Sequence, residues 1–441
     1  MNRTAKLLMI LALLACLVGA LAAVGCGSSA ATTTTQATSA PTTGGASPST
    51  SAATPTSATP TTATQTTGGA PTGTPYKVGL VTSISGPLGF LGVQIRDAAQ
   101  LAVDKANAAG GINGHPVQLV IEDDAGDPGQ AVTKITKVVS DDKVLAVTGM
   151  FLVALESTLR PLAERLQVPY MSQIQTVPQY RTMVGKYWFD DAPSEFVVVP
   201  AWIKVLKEKG FTNIVANGTN DTLTDPTLNE LKKEGEAAGI TVNILPDKIG
   251  TDAVDATPQI IALKKLIDQT KAQALVTMVW PNNMQAMLTA MGNQGVKIPI
   301  FMPPWGADES ILQMVPGGEL NGITIVGLKT LAGDSLPDTD PQKAIIQDFA
   351  KSYQDKTKAI AGEKAAYSYT SVQLILDAIK RAGDNPTPQS VRDAMEATQN
   401  LVTVVGTFNY SPTDHEGLQA NNCLCVYEIQ NNKHVYMESI Q

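Results

Sequence analysis

Residues 76–128 read YKVGLVTSISGPLGFLGVQIRDAAQLAVDKANAAGGINGHPVQLVIEDDAGDP. Lys77–Thr82 and Val117–Glu122 are short runs rich in β-branched residues and are predicted strands. Between them, Ile95–Ala109 carries helical spacing and is closed by Gly110, where a left-handed residue is wanted. Asp127-Pro128 then opens a second helix: a cap oxygen meets an orphan backbone N–H, and proline loses nothing at the first helical position. Strand, helix, strand in this order is the repeating unit of a parallel sheet with right-handed crossovers.

The alternation continues outward. Val144–Thr148, Asn213–Ala216, Thr241–Leu245, Ala274–Val279 and Ile298–Met302 are predicted strands, several apolar without a break, as strands buried on both faces are. Leu228–Ala238 and Ile260–Gln269 read as helices between them. Asp225-Pro226, Thr257-Pro258, Asp340-Pro341 and Thr387-Pro388 repeat the cap-and-proline start, and Gly210 and Gly239 repeat the glycine stop. The body from Tyr76 onward holds 366 of the 441 residues, which by size predicts two lobes.

The N-terminal segment is an address. Arg3 and Lys6 precede an apolar run from Leu7 to Ala15 that continues with breaks to Gly25, the pattern of an export signal. Ala23-Val24-Gly25-Cys26 resembles a bacterial lipobox, so residues 1–25 are expected to be removed and Cys26 to carry lipid; Cys16 is the alternative. The protein is then exported and anchored to the outer face of the cytoplasmic membrane, or periplasmic. Residues 26–75 form the tether: from residue 27 on there is no charge, no aromatic ring and no aliphatic side chain larger than alanine. Such a stretch cannot offset its ordering entropy and is expected to be disordered, reaching on the order of 40 Å as a coil. Its Ser/Thr/Pro composition also suits O-glycosylation.

Composition excludes several classes. Thirty-two basic against 40 acidic residues give a net charge of −8, which becomes −10 without Arg3 and Lys6, so no nucleic-acid partner is expected. Three histidines and four cysteines leave little for a multi-ligand metal centre. Glu122-Asp123-Asp124 with Asp127 lacks the calcium-loop spacing and reads as a strand end followed by a cap; Asp334, Asp338 and Asp340 read as a solvated loop and a cap. There is no Gly-x-Ser-x-Gly elbow and no Walker loop, and Gly110–Gly114 is a helix stop and tight turn. His115, His415 and His434 are read as lone surface histidines. Cys423 and Cys425 fall on one face of a predicted strand, where a direct bridge would be strained; an exported location allows a disulfide, and two buried thiols are the equal alternative. No enzyme and no cofactor is implied.

Taken in order, Ser85-Gly86-Pro87 to Gly92, Ala106 to Gly114, and Glu122-Asp123-Asp124 through Asp127-Pro128 resemble the branched-chain amino-acid binding proteins of ABC importers. Val168-Pro169, Trp280-Pro281, Ala366-Tyr367 and Phe408 to His415 extend the resemblance over residues 76–438. It implies an α/β fold of two doubly wound, Rossmann-like lobes, 76–191 plus 329–402 and 192–328 plus 403–441, joined by three crossings that act as a hinge. It further implies a monomer that traps a small organic ligand between the lobes and presents it to a membrane permease.

The resemblance also assigns a site. A ligand-binding serine of the family corresponds to Val153, in the segment with Phe151 and Leu152; a threonine is kept as Thr176, with Ile174 at an amide position and Gln175 between them. A tyrosine becomes Thr222, an aromatic residue is kept as Trp280, and Phe90 and Leu91 stand near a ligand-facing tyrosine. The acid that pairs with the ligand ammonium becomes Trp305. Burying an unpaired ammonium costs several kcal/mol, of which cation–π attraction returns only about 0.5–2. The expected ligand is therefore a partly apolar or aromatic carboxylate or amide, not a standard branched-chain amino acid. A surface sensor with the same clamp, and a conventional branched-chain amino-acid binder, are the alternatives.

Overall fold

The computed structural model describes residues 71–176, 185–315 and 319–440. The export signal, Cys16, Cys26 and the tether up to residue 70 lie outside the described residues. Residues 71–75, read as the end of the tether, are held by hydrogen bonds. The N–H groups of Thr72 and Gly73 both donate to the Gly114 carbonyl at 3.2 Å, and His115 Nδ1 lies 2.8 Å from the Thr74 carbonyl oxygen. The tight turn at Gly110–Gly114 offers carbonyls that this otherwise featureless strand of chain takes up.

The first half of the chain runs β1 (Tyr76–Thr82), α1 (Gly89–Ala108), β2 (Val117–Asp123), α2 (Pro128–Ser140), β3 (Ala146–Thr148), α3 (Glu156–Leu166), β4 (Tyr170–Ser172) and β5 (Trp188–Asp190). These strands form one sheet in the order β2-β1-β3-β4-β5, parallel throughout. The chain then crosses to α4 (Glu195–Glu208), β6 (Asn213–Gly218), α5 (Thr224–Ala237), β7 (Thr241–Ile244), α6 (Thr257–Thr270), β8 (Ala274–Met278), α7 (Pro281–Asn293), β9 (Ile300–Met302), α8 (Glu309–Met314) and β10 (Thr324–Leu328). It returns through α9 (Lys343–Thr357), α10 (Glu363–Arg381) and α11 (Pro388–Glu396), passes a small hairpin of β11 (Leu401–Val402) and β12 (Thr407–Phe408), and ends with α12 (Ala420–Cys423), β13 (Leu424–Gln430) and β14 (Lys433–Ser439).

The second sheet has the order β14-β13-β10-β9-β8-β6-β7, with β13 and β14 antiparallel at one edge. Its parallel part, β7-β6-β8-β9-β10, winds as the first sheet does. In each half the chain order reverses beside the first strand, and open α/β sheets bind ligands outside the carboxyl ends of strands at such a point. The expected α/β class with two doubly wound lobes is the one observed. Helix α10 packs on α1, β3 and β4, so the returning helices cover the first sheet.

Two of the five predicted helix starts are built as expected. The Asp127 carboxylate accepts from the Gln130 N–H, and Thr387 forms a capping box with Ser390. At the other three an earlier aspartate or a longer turn intervenes. Asp221 accepts from the N–H groups of Leu223 and Thr224 at 2.8 Å, Asp255 accepts from Thr257, and Asp340 accepts from Gln342 before α9 begins. Proline is tolerated throughout a first turn because those N–H groups have no intrahelical partner. The acidic cluster after β2 is occupied by protein groups: Glu122 pairs with Lys134 and Lys137, and Asp123 accepts from the N–H groups of Ile84 and Ala125. Asp334 and Asp338 are exposed, as a solvated loop requires, while Asp340, the expected cap, accepts from the Gln342 N–H and also pairs with buried Lys329 at 2.9 Å.

Candidate functional site

Three loops at strand carboxyl ends converge on one cleft of about 340 Å³. After β1 come Leu88, Phe90 and Leu91; after β8 comes Trp280; after β9 come Trp305, Asp308 and Ser310. The first turn of α10, with Glu363 and Lys364, closes the side belonging to the first sheet. The cleft therefore takes residues from elements of both sheets.

Its floor is aromatic. The rings of Trp280 and Trp305 stack with centroids 5.4 Å apart and planes 7° from parallel, the offset geometry that aromatic pairs favour. Trp305 is 8 % exposed, while Trp280 is half-buried. Trp280 is held at both ends: its backbone N–H donates to the Thr219 hydroxyl at 3.0 Å, and its indole Nε1–H donates to the Asp221 carboxylate. That carboxylate also accepts the first N–H groups of α5, so the platform is tied to a helix start. Phe90, at 57 % exposure, stands at the mouth.

Of the residues expected at the site, the structure brings together Phe90, Leu91, Trp280 and Trp305. It does not bring the others there. Phe151 and Ile174 are buried in hydrophobic cores, and Leu152 and Val153 are half-buried against them. The Ile174 N–H donates to the Ser172 hydroxyl at 3.1 Å, so that amide is already used. Gln175 is half-buried, and Thr222 is exposed on a separate groove beside Asp225 and Pro226. Thr176 belongs to a buried ionic network: its hydroxyl donates to Glu156, and Arg160 donates to Glu156 at 2.6 Å and to Asp190 and Thr176 at 3.2 Å. A second cavity of about 60 Å³ adjoins that network. The linear reading missed Asp308, Glu363 and Lys364 altogether. Helix-cap spacing at Asp308-Glu309-Ser310 was the one signal available for the first of them.

The remaining expectations are corrected by packing. His415 stacks on Phe189 at 4.1 Å and lies 3.2 Å from the Glu396 carboxylate; the His434 ring is 1 % exposed, between Glu309 and the Gly306 carbonyl. Neither is a lone surface histidine. Cys423 ends a short helix and only Cys425 lies in a strand, because the chain turns at Gln419–Asn422 before entering β13. Both thiols are free and buried, and burial pushes Cys425 up to about 12. Among the described residues no cluster of His, Cys, Asp or Glu could hold a metal ion, and no helix is long and apolar enough to cross a membrane.

The crossing from β5 into α4 buries more acid than base. Glu195 is fully buried, and neither carboxylate oxygen has a hydrogen-bond partner among the described residues. Burial, reinforced by Glu416 and Glu156, pushes its carboxyl up to about 9. Glu156 is also raised by burial and then by Asp190, with Arg160 opposing. Burial likewise raises Asp191, although the Ser371 hydroxyl donates to it. A carboxyl raised on folding holds its proton in the folded chain and loses it in the unfolded one. Its stabilising contribution is full below the ordinary carboxylate range and is lost as pH rises toward the folded value, about 9 for Glu195. Calorimetric melting temperature should therefore fall from pH 5 to pH 9. Glu195→Gln should flatten that slope, raising the melting temperature relative to wild type more at pH 9 than at pH 5, because the amide has no proton to lose on unfolding. An unchanged slope in the variant would count against this account.

The model of the periplasmic binding protein family matches residues 75–434. The chain is 27 % identical over 366 residues to Leu/Ile/Val-binding protein homolog 1 of Brucella abortus (strain 2308), covering 76 % of this chain and 85 % of that one. It is 27 % identical over 354 residues to the leucine-, isoleucine-, valine-, threonine- and alanine-binding protein of Pseudomonas aeruginosa, covering 80 % and 89 %. Among solved structures, an extracellular ligand-binding receptor from Rhodopseudomonas palustris HaA2 superposes with a TM-score of 0.71 at 20 % identity, over 83 % of this chain and all of that one. The branched-chain amino acid transporter substrate binding protein LivJ of Streptococcus pneumoniae, in complex with isoleucine, superposes with a TM-score of 0.69 at 20 % identity, over 83 % and 99 %. At these identities the structural likeness speaks to the fold.

Proposed function

This chain belongs to the periplasmic binding protein family, and on that premise we propose that it captures a small, partly apolar or aromatic carboxylate or amide in the cleft floored by Trp280 and Trp305. It is an extracytoplasmic solute-binding protein of the Leu/Ile/Val-binding type, and a binder rather than an enzyme. In the proposed cycle the lobes 76–191 plus 329–402 and 192–328 plus 403–441 close on the solute as a monomer. The closed form is presented to an ABC permease, while lipid on Cys26 and the tether keep the clamp at the membrane.

The observation that carries the ligand class is the indole pair. Apolar and aromatic surfaces gain from a flat, desolvated wall, at roughly 25 cal/mol per Å² of apolar area buried. A second reading, a conventional amino-acid binder, is favoured by the carboxylates of Asp308 and Glu363 at the cleft and by the names of the relatives. Both are engaged by the protein: Asp308 accepts the N–H groups of Ser310 at 2.9 Å and Glu363 at 3.1 Å, and Glu363 accepts from the Tyr367 hydroxyl. Carboxylates occupied in this way are poorer partners for an ammonium.

Isothermal calorimetry decides between the readings. Benzoate, phenylacetate and benzamide are the probes for the first, and leucine, isoleucine and valine for the second. Micromolar binding by an aromatic probe with none by the three amino acids is expected. Micromolar binding of leucine, isoleucine or valine would refute the aromatic assignment and leave the carrier role standing.

A further inference from the structure

The first turn of α10 lacks a cap of its own. Its N-cap residue, Gly362, has no side chain to offer, yet a 19-residue helix presents unsatisfied N–H groups and a partial positive charge at that end. The missing acceptor comes from far away in sequence: the Glu363 N–H donates to Asp308 Oδ2 at 3.1 Å. Asp308 follows β9 of the second sheet, whereas α10 packs on α1, β3 and β4 of the first. Its other oxygen, Oδ1, accepts from the Ser310 N–H at 2.9 Å, which fixes the side chain at the start of α8. The absence of a side chain at residue 362 is itself required. A Cβ there would stand 2.3 Å from Asp308 Oδ2 and 2.8 Å from Gln94 Oε1.

We propose that Asp308 is an interlobe latch: its carboxylate caps α10 across the mouth of the cleft and so favours the closed clamp. The inference rests on the hinged-clamp reading above. When the lobes part, the α10 N–H loses this acceptor to water while Asp308 keeps its local bond to Ser310. Closure is thereby favoured by a charge-assisted hydrogen bond that is independent of which solute lies behind it. Gly362 is the necessary counterpart, since an intrinsic cap would satisfy the helix in either state and remove the preference.

The test uses the full-length chain with Cys16→Ser and Cys26→Ser, leaving the buried Cys423 and Cys425, and spin labels at Gln130→Cys on α2, which packs on β1 and β2, and Asn229→Cys on α5, which packs on β6 and β7, both exposed positions. Electron–electron distance distributions are recorded without added solute. Asp308→Ala should raise the ratio of long to short distances about fivefold, the typical effect of losing one cap of about 1 kcal/mol. Adding Gly362→Ser to Asp308→Ala should recover melting temperature, because the helix regains a cap, without restoring the short distance. A purely structural cap would recover both. Ser310→Trp, a wedge placed in the cleft, serves as the control for motion. If the wedge lengthens the distance and Asp308→Ala does not, the latch is overturned and the clamp stands. If neither variant changes the distance, the hinged clamp itself is overturned.

Discussion

Gly92→Ala is expected to be the most damaging single-methyl change in the first lobe. Gly92 lies in the first turn of α1, and a Cβ built there meets the Ser83 carbonyl oxygen at 1.9 Å and its carbon at 2.4 Å. Those are backbone atoms and cannot rotate away. Nor can the turn retreat: the Ser83 hydroxyl donates to Asp124 at 2.7 Å, and the N–H groups of Ile84 and Ser85 donate to Asp123 at 3.0 and 3.2 Å. Helix and turn must separate, at a cost of about 3 kcal/mol, the upper part of the usual overpacking range. Melting temperature should drop on the order of 5 °C. The same displacement moves Phe90 and Leu91, so probe affinity should fall as well. A melting temperature equal to wild type would mean that α1 does not approach the turn this closely.

Trp280→Ala should weaken the best-binding aromatic probe by roughly 10- to 100-fold, the loss expected when about 1.5–3 kcal/mol of aromatic burial is removed. Trp280 is half-buried and sits before the first residue of α7, so truncation removes a wall of the cleft without emptying a core. Asp221→Asn gives the finer test. One carboxylate oxygen takes the indole N–H and the other takes the Leu223 and Thr224 N–H groups; an amide has a single acceptor oxygen and leaves one set unmet, so affinity should fall by at least about threefold. Calorimetry on both variants separates the contributions. Wild-type affinity in Trp280→Ala would assign the stacked pair to packing alone and withdraw the aromatic ligand.

Local signals carried much of this architecture. The alternation of β-branched runs and helical spacing from Lys77 onward announced the parallel sheets, and the Asp127 and Thr387 caps act within a few residues of where they are written. Periodicity and capping are short-range effects, so a linear reading can use them. Trp280 and Trp305 were expected at the site from the family resemblance, position by position, and the fold sets each closely after a strand end at the cleft.

What escaped the linear reading depends on distance in space. Thr176 looks free in the chain; folding delivers it to Glu156 and Arg160. His415 and His434 look polar and isolated until Phe189 and Gly306 arrive against them. Asp308 and Glu363 stand 55 positions apart, and only the return of the chain over the first sheet sets one at the head of the other's helix. Residue order alone thus decided strand, helix and winding, because those follow from neighbouring backbone geometry. Which carboxylates are spent on the protein, and which surfaces remain for a guest, was decided by tertiary packing, since hydrogen bonds and desolvation depend on what arrives from elsewhere in the chain.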